Sequence, residues 1–381
     1  MGILLFIFLG AVLRDINLLI LLAGAMIGIV LIQWRFSVGT LNGLTLTRHV
    51  PPFVAVDAPL DVEVQVINPK RWLAAWLVMI EERVEKEVPG PDRRAVVGRC
   101  VVHGVPPRGH VRGKYRLVFH QRGRYRISSS TLSTRYPLGL GRGWRELEAQ
   151  HQIVVHPRCG QLTPRINLLV DQDRTGKNRS TGTAGVQEGE FYGLRPWVTG
   201  DSKRWIHWRT TARLGELSVR QFERRQQRQL AVLLDLYHDG TADCAEAVEA
   251  VISFVATLAN HLVRSGRDKL SVGVAAQRPS AVIDVQSPGL LVHLLDRLAE
   301  AEGHRSPDLA EALLSLSAPL MRQPHLIVVS TRPANTAQLH VHASKSPALA
   351  RQLARSRIQW LDARHGDLEP YFQHIELAAE G

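Results

Sequence analysis

The chain changes its hydrophobic pattern twice. From Gly2 to Leu13 it is almost wholly apolar, Arg14-Asp15 interrupts, and Ile16 to Ile32 is apolar again apart from Asn17. At 1.5 Å per residue the second run spans about 26 Å, close to the hydrocarbon thickness of a bilayer. From Leu60 the pattern becomes strict alternation, with Leu60, Val62, Val64 and Val66 set against Asp61, Glu63 and Gln65. That is a half-buried strand. Trp76–Ile80, Ala95–Val102, Lys114–Phe119, Arg124–Ser128 and Gln152–His156 are further strand candidates. Several are separated by Pro/Gly punctuation at Pro89-Gly90-Pro91, Gly104-Val105-Pro106-Pro107 and Arg122-Gly123. Short strands with such turns predict a small antiparallel sandwich.

The third regime is continuous apolar runs alternating with helical periodicity. Leu230–Leu234, Leu270–Ala275, Val282–Val285, Leu326–Ser330 and Ile358–Leu361 read as strands, the first of them fitting a strand buried on both faces. Ala245–Val263, Leu290–Ala301, Leu309–Leu316 and Ala348–Ser356 read as helices. Strand–helix alternation predicts a mostly parallel sheet covered on both sides. The expected organisation is therefore multidomain: membrane segment(s) over 1–34, a β-rich sandwich-like domain over 45–160, a loop and motif region over 161–227, and an α/β (Rossmann-like) domain over 228–378.

The N-terminal runs are expected to anchor the chain in the lipid bilayer. A signal peptide also presents an apolar N-terminal run, but a basic leader and a small-residue cleavage pattern are missing here. Arg35, Arg48, Lys70 and Arg71 follow the second run, and the positive-inside rule places the bulk of the chain in the cytoplasm, at the inner (cell) membrane. The 381 residues carry a formal charge of +12, which points to an anionic partner or surface. Arg122, Arg124, Arg126, Arg135, Arg142 and Arg145 concentrate that charge in the strand region, as a lipid-facing patch or a solvated strand face. No nucleic-acid partner is expected, because Tyr115, Tyr125 and Tyr136 lack the ordered interleaving that base stacking needs. Cys100, Cys159 and Cys244 are far apart, giving neither a disulfide framework nor zinc spacing.

Chemistry-bearing residues concentrate between Glu188 and Glu223. Gly200-Asp201 forms a turn with Asp201 as N-cap, Trp205, Trp208 and Ala212 share one helix face, Gly215 stops the helix, and Leu217–Phe222 follow as a strand. Arg174-Thr175-Gly176-Lys177 lacks the glycine spacing of a P-loop. There is no Gly-x-Ser-x-Gly elbow and no His-Glu-x-x-His helix, so no catalytic residue is assigned and an enzyme is not expected. For His207 the readings are a base or a packed, hydrogen-bonded ring, the second favoured. The binding residues are Glu190, Arg195, Asp201, Arg204, Trp208, Arg209 and Arg213. They form an ion-pair and cap network with Glu188 and Glu216, or an anion or partner-protein surface, since guanidinium suits both.

Gly189-Glu190-Phe191, Leu194-Arg195 with Trp197, Gly200-Asp201, Arg204-Trp205-Ile206-His207-Trp208, Ala212-Arg213 and Leu217-Ser218-Val219 together resemble the bacterial domain-of-unknown-function 58 family. Arg122-Gly123-Arg124-Tyr125, Tyr136-Pro137-Leu138-Gly139-Leu140 and Val155-His156-Pro157 are similar to it as well. The resemblance implies a two-helix membrane hairpin, a von Willebrand A-like C-terminal domain, and a MoxR-type AAA+ ATPase partner in the assembly or maturation of client proteins. That domain type holds a divalent cation such as magnesium through Asp-x-Ser-x-Ser and later-loop oxygens. The matching residues would be Asp235, Asp239 and Ser306. Tyr237 in place of the first serine, and Arg332 beyond Ser330-Thr331 where an aspartate would stand, weigh against it; no cofactor is expected. The alternatives are a metal-dependent adhesion domain and a hydrolase centred on Asp201 and His207.

Overall fold

The computed structural model describes residues 6, 7, 9, 10, 13, 17–87, 95–171, 191–222, 228–266, 268–322, 325–344 and 346–373. They divide into two units, Met1–Cys159 with Val292–Glu302, and Gly160–Leu291 with Gly303–Gly381.

The first unit opens with helix α1 (Asn17–Leu41), the one described helix long and apolar enough to cross a membrane. The run from Gly2 to Leu13, expected as the other half of a hairpin, lies largely outside the described residues. The helix runs past the last residue of the apolar run, Ile32, because its C-terminal turns bury Gln33, Ser37, Thr40 and Leu41. Eight strands follow: β1 (Thr45–His49), β2 (Phe53–Ala55), β3 (Pro59–Ile67), β4 (Ala75–Lys86), β5 (Ala95–Val105), β6 (His110–Val118), β7 (Gly123–Thr134) and β8 (Gly143–His156). They form a three-stranded sheet, β1-β3-β6, and a five-stranded sheet, β2-β8-β7-β4-β5, antiparallel throughout except for the parallel β2–β8 pair. Val62, Val64 and Val66 from one sheet share a core with Val78, Ile80, Ile127, Leu132 and Ile153 from the other. Strands β4, β7 and β8 are much longer than hydropathy predicts. Their far halves, such as Ser128–Thr134, are mostly polar, with Ser130, Ser133 and Thr134 buried beside Leu132.

The same inward register carries Glu82 on β4 into the core, fully buried. A lone carboxylate there would be severely destabilising. Arg48 from β1 pairs with it at 3.0 Å, Ser130 Oγ from β7 donates to Oε1 at 2.6 Å, and Tyr115 OH from β6 donates to Oε2. Burial and then the Glu82 charge push the Tyr115 phenol upward and the Cys100 thiol up to about 11. Five of the six strand-region arginines are engaged internally, Arg142 through Glu81 at 2.7 Å. Buried Arg122 donates to the carbonyls of Leu298 and Ala301, Arg124 and Arg126 pair with Glu300 and Glu87, and Arg145 donates to those of Leu41 and Leu44.

In the second unit, β9 (Gln161–Leu162) pairs with a terminal strand, Phe372–Gln373, and α2 (Ile166–Asp171) precedes residues 172–190, which fall outside the described residues. Strands β10 (Phe191–Pro196) and β11 (Ser218–Phe222) form an antiparallel pair, with short helix α3 (Trp208–Leu214) between them. The main sheet is built from β12 (Arg228–Asp235), β13 (Asp268–Ala275), β14 (Ser280–Val285), β15 (His325–Ser330) and β16 (Arg357–Asp362), in the order β14-β13-β12-β15-β16. All pairs are parallel except the β13–β14 hairpin. The crossover helix α4 (Ala242–Ser265) is capped by Thr241 Oγ1, which accepts from Cys244 N, and ends at Gly266 in the left-handed conformation. Every residue of β15 and the run Leu230–Asp235 of β12 are buried, which explains the apolar stretches Leu326–Val329 and Leu230–Leu234.

Candidate functional site

Two places in the second unit gather the chemistry-bearing residues. The first is the β10–β11 pair. Arg195, on β10, turns back on Asp201 with a bidentate pair, Nη1 to Oδ2 at 2.7 Å and Nη2 to Oδ1 at 2.6 Å. Oδ2 also accepts from Val198 N at 2.9 Å. The Arg195 bond and then the Val198 amide hold the Asp201 carboxyl below its ordinary range. Asp201 was expected to cap a helix; it instead closes the Val198–Asp201 turn, whose backbone bond runs from Asp201 N to Val198 O. A single 3-10 turn, Lys203–Trp205, follows, and Ile206 bridges to Val219. That bridge breaks the helix expected to run from Trp205 through Ala212.

The helix starts at Trp208 with His207 as its cap. His207 Nδ1 accepts from Thr210 N at 3.3 Å and lies 2.8 Å from Thr210 Oγ1. Gly215 ends it at φ 75°, a conformation that costs a glycine nothing. Thr211 Oγ1 accepts from Ser218 N at 3.0 Å, tying α3 to β11. Arg204, Arg209, Arg213, Trp208, Leu214 and Glu216 all face solvent. Among the described residues none of these three arginines has an ion pair, so the network anticipated through Glu216 is not formed. Glu188 and Glu190 lie outside the described residues.

The second place is the carboxyl edge of the parallel sheet. Chain order reverses between β12 and β15, and at such a switch point open α/β sheets leave a crevice for ligands. Here the crevice is closed. Asp235, fully buried at the end of β12, accepts from Arg332 Nε at 2.6 Å, Arg332 Nη2 at 3.2 Å and Ser330 Oγ at 2.9 Å. The guanidinium lies 5.2 Å from the Tyr237 ring centroid, and the Arg332 carbonyl accepts from Trp360 Nε1 at 3.1 Å. Asp239 is held separately, by Thr241 N, Thr241 Oγ1 and Arg364 Nη1 at 3.1 Å. The Thr241 bonds first, and Arg364 after them, bring its carboxyl down to about 2. Ser306 is exposed, its amide donating to His304 Nδ1.

The three residues matched to a cation site therefore do not converge on one. A guanidinium sits on both oxygens of Asp235, where a divalent ion would need them, and its positive charge opposes such an ion. Among the described residues no cluster of three or more His, Cys, Asp and Glu is placed to hold a metal. The residues present do not fit the divalent cation that the resemblance implies for this domain type. Sequence reading missed Asp362, which ends β16 much as Asp235 ends β12 and holds His365 Nδ1 at 2.7 Å and Arg364 N at 2.9 Å. An aspartate closing a strand legible in the sequence, Ile358–Leu361, was the available signal.

The class defined by these features is an α/β unit with a closed switch point, preceded by a β-pair that carries an arginine-rich, solvent-facing turn. More particularly, the family model described as "Protein of unknown function DUF58" matches residues 193–356, a span covering most of both places, and supports that family for this chain. No curated protein matches the chain. Among solved structures, a beta-glucosidase from Listeria innocua is 15% identical, with a TM-score of 0.19, covering 29% of this chain and 16% of its own. The superoxide reductase (Neelaredoxin) from Ignicoccus hospitalis is 20% identical, with a TM-score of 0.18, 29% and 80% covered. The CARDB domain of the PF1109 protein from Pyrococcus furiosus is 17% identical, with a TM-score of 0.17, 29% and 93% covered. Likenesses at those scores carry no weight for either fold or function.

Proposed function

We propose that the chain is a membrane-anchored interaction protein, with its soluble units in the cytoplasm and a von Willebrand A-like α/β unit that docks another protein without a metal ion. One observation carries the reading: the signature region engages its carboxylate and imidazole in local hydrogen bonds and leaves Arg204, Arg209, Arg213 and Trp208 exposed. Asp201 is engaged by Arg195 and Val198, and His207 serves as a helix cap. What remains exposed, Arg204, Arg209, Arg213 and Trp208, is the kind of surface from which binding hot spots are drawn. The strand order, with one antiparallel edge strand, supports the von Willebrand A-like assignment. The apolar helix α1 supports the anchor. The partner best suited to the family resemblance is a MoxR-type AAA+ ATPase, with a role in client assembly or maturation.

Fractionation tests the anchor: the full chain should remain in the membrane pellet after carbonate extraction, and its units should be digested by protease only in inside-out vesicles. Recovery in the soluble fraction, or digestion from the opposite face, would refute the topology. Cross-linking from those membranes should retain the ATPase.

A further inference from the structure

We propose that the loop Arg135–Arg142, between β7 and β8, is a second membrane contact. It sets Leu138 and Leu140 into the headgroup layer and presents Arg135 and Arg142 to anionic phospholipids. The proposal rests on the reading of α1 as a membrane span.

The loop's depth is fixed by a polar clasp. Gln33 is 2% exposed although it directly follows the apolar run of α1. Its Oε1 accepts from Leu138 N at 2.8 Å. Its Nε2 donates to the carbonyls of Arg135 at 3.1 Å and Gly141 at 3.2 Å, and Ser37 Oγ donates to that of Tyr136 at 3.0 Å. The loop backbone is thereby held level with Gln33, one residue past Ile32. Trp34 and Arg35 come next and face outward, in the order in which aromatic and basic residues mark a bilayer boundary.

The surface at that level is apolar and open. Leu138 is 54% exposed, Leu140 63% and Trp34 63%. A cleft of about 500 Å³ lies between helix and loop, lined by Val30, Leu31, Trp34, Leu140 and Arg142 among others. In water this would be an unfavourable patch. At the boundary of the hydrocarbon it has an apolar floor for an acyl chain and a guanidinium at its rim. Arg142 is exposed and meets Glu81 through Nη2 alone at 2.7 Å among the described residues, so the rest of its guanidinium can reach phosphate, and Arg135 is exposed at the other end of the loop. Arg145 is excluded, since it donates to carbonyls at the end of α1. Lipid is the occupant because the patch is continuous with the span itself; a protein on it would have to enter the headgroup layer.

The test uses the full chain in vesicles of phosphatidylcholine with phosphatidylglycerol. A nitrobenzoxadiazole label is placed at Leu21→Cys, Leu140→Cys or Gln150→Cys in a Cys159→Ser background, since Cys100 and Cys244 are buried. Lipids carry nitroxide quenchers at shallow or deep positions. The label at position 21 should be quenched by the deep probe, that at 140 by the shallow probe, and that at 150 by neither. Quenching at 21 without quenching at 140 overturns the loop contact and leaves the span standing. No quenching at 21 removes the span and the proposal together. The double variant Arg135→Glu/Arg142→Glu should weaken the quenching at 140 by nitroxide carried on phosphatidylglycerol, while the clasp keeps quenching by nitroxide on phosphatidylcholine. Unchanged quenching by the phosphatidylglycerol nitroxide would overturn the assignment to anionic lipid. Shielding of position 140 from aqueous iodide without lipid quenching would mark a protein on this face, and would also overturn the proposal.

Discussion

Replacing Arg332 by methionine leaves Asp235 as a carboxylate at the buried end of β12, with Ser330 Oγ as its remaining donor among the described residues. Removing one partner of a buried pair costs roughly 3–5 kcal/mol, because the other charge stays desolvated. Asp235 is fully buried, whereas Arg332 retains 22% exposure. Some water therefore already reaches the pair, which favours the lower figure, about 3 kcal/mol. For an α/β unit of this size each kcal/mol shifts the melting temperature by about 2–4 °C, so Arg332→Met should melt roughly 6–12 °C below the parent. Adding Asp235→Asn to it removes the stranded charge and should recover a large part of the loss. The assay is thermal unfolding of the full chain in detergent, followed by circular dichroism, with the double-mutant cycle isolating the coupling. A single variant as stable as the parent, or a double variant no better than the single one, would refute the claim that this ion pair closes the crevice.

The same geometry sets four further outcomes. Magnesium titrated calorimetrically into the full chain should give no heat that Asp235→Ala abolishes; such heat would restore the cation reading. His207→Ala should lose about 1 kcal/mol as a helix cap and His207→Asn should recover it, whereas a base role would leave both inactive in any turnover assay. Asp239 has a folded-state carboxyl lowered to about 2. Its stabilising effect is therefore complete above the usual carboxylate range near pH 4 and fades as pH falls toward 2. The melting gap between parent and Asp239→Asn should be open at about pH 6 and narrow below about pH 3; a gap that widens on acidification would contradict the sign. Arg195→Ala should speed hydrogen exchange at Val198 and Asp201 while leaving the β12–β15 amides protected.

The sequence made some of these features readable and concealed others, for physical reasons. Leu230–Leu234 and Leu326–Val329 announce themselves because burial on both faces favours apolar residues. Gly215 was legible as a stop because the left-handed turn favours it. Strand β1 was not, since Thr45–His49 alternates between exposed and half-buried positions with no fully buried residue. Glu82 reads as an outward residue until Arg48, Ser130 and Tyr115 arrive from three other strands. At the signature turn, Arg195 and Asp201 were both identified as important. Their mutual pairing depends on a turn that propensity alone does not specify, and the helix expected from Trp205 gives way to the Ile206–Val219 bridge. The arginine after Ser330-Thr331 was visible as an obstacle to a cation. That it completes an ion pair with Asp235 required the parallel register of β12 and β15.

The most direct measurement is binding of a purified MoxR-type AAA+ ATPase from the same organism to the full chain held in detergent or nanodiscs, read by interferometry. The account predicts saturable binding by the parent, unaffected by magnesium chelation when no nucleotide is present, and lost in Arg204→Glu/Arg209→Glu/Arg213→Glu. Absence of binding by a correctly folded parent, or equal binding by the charge-reversed variant, would contradict it.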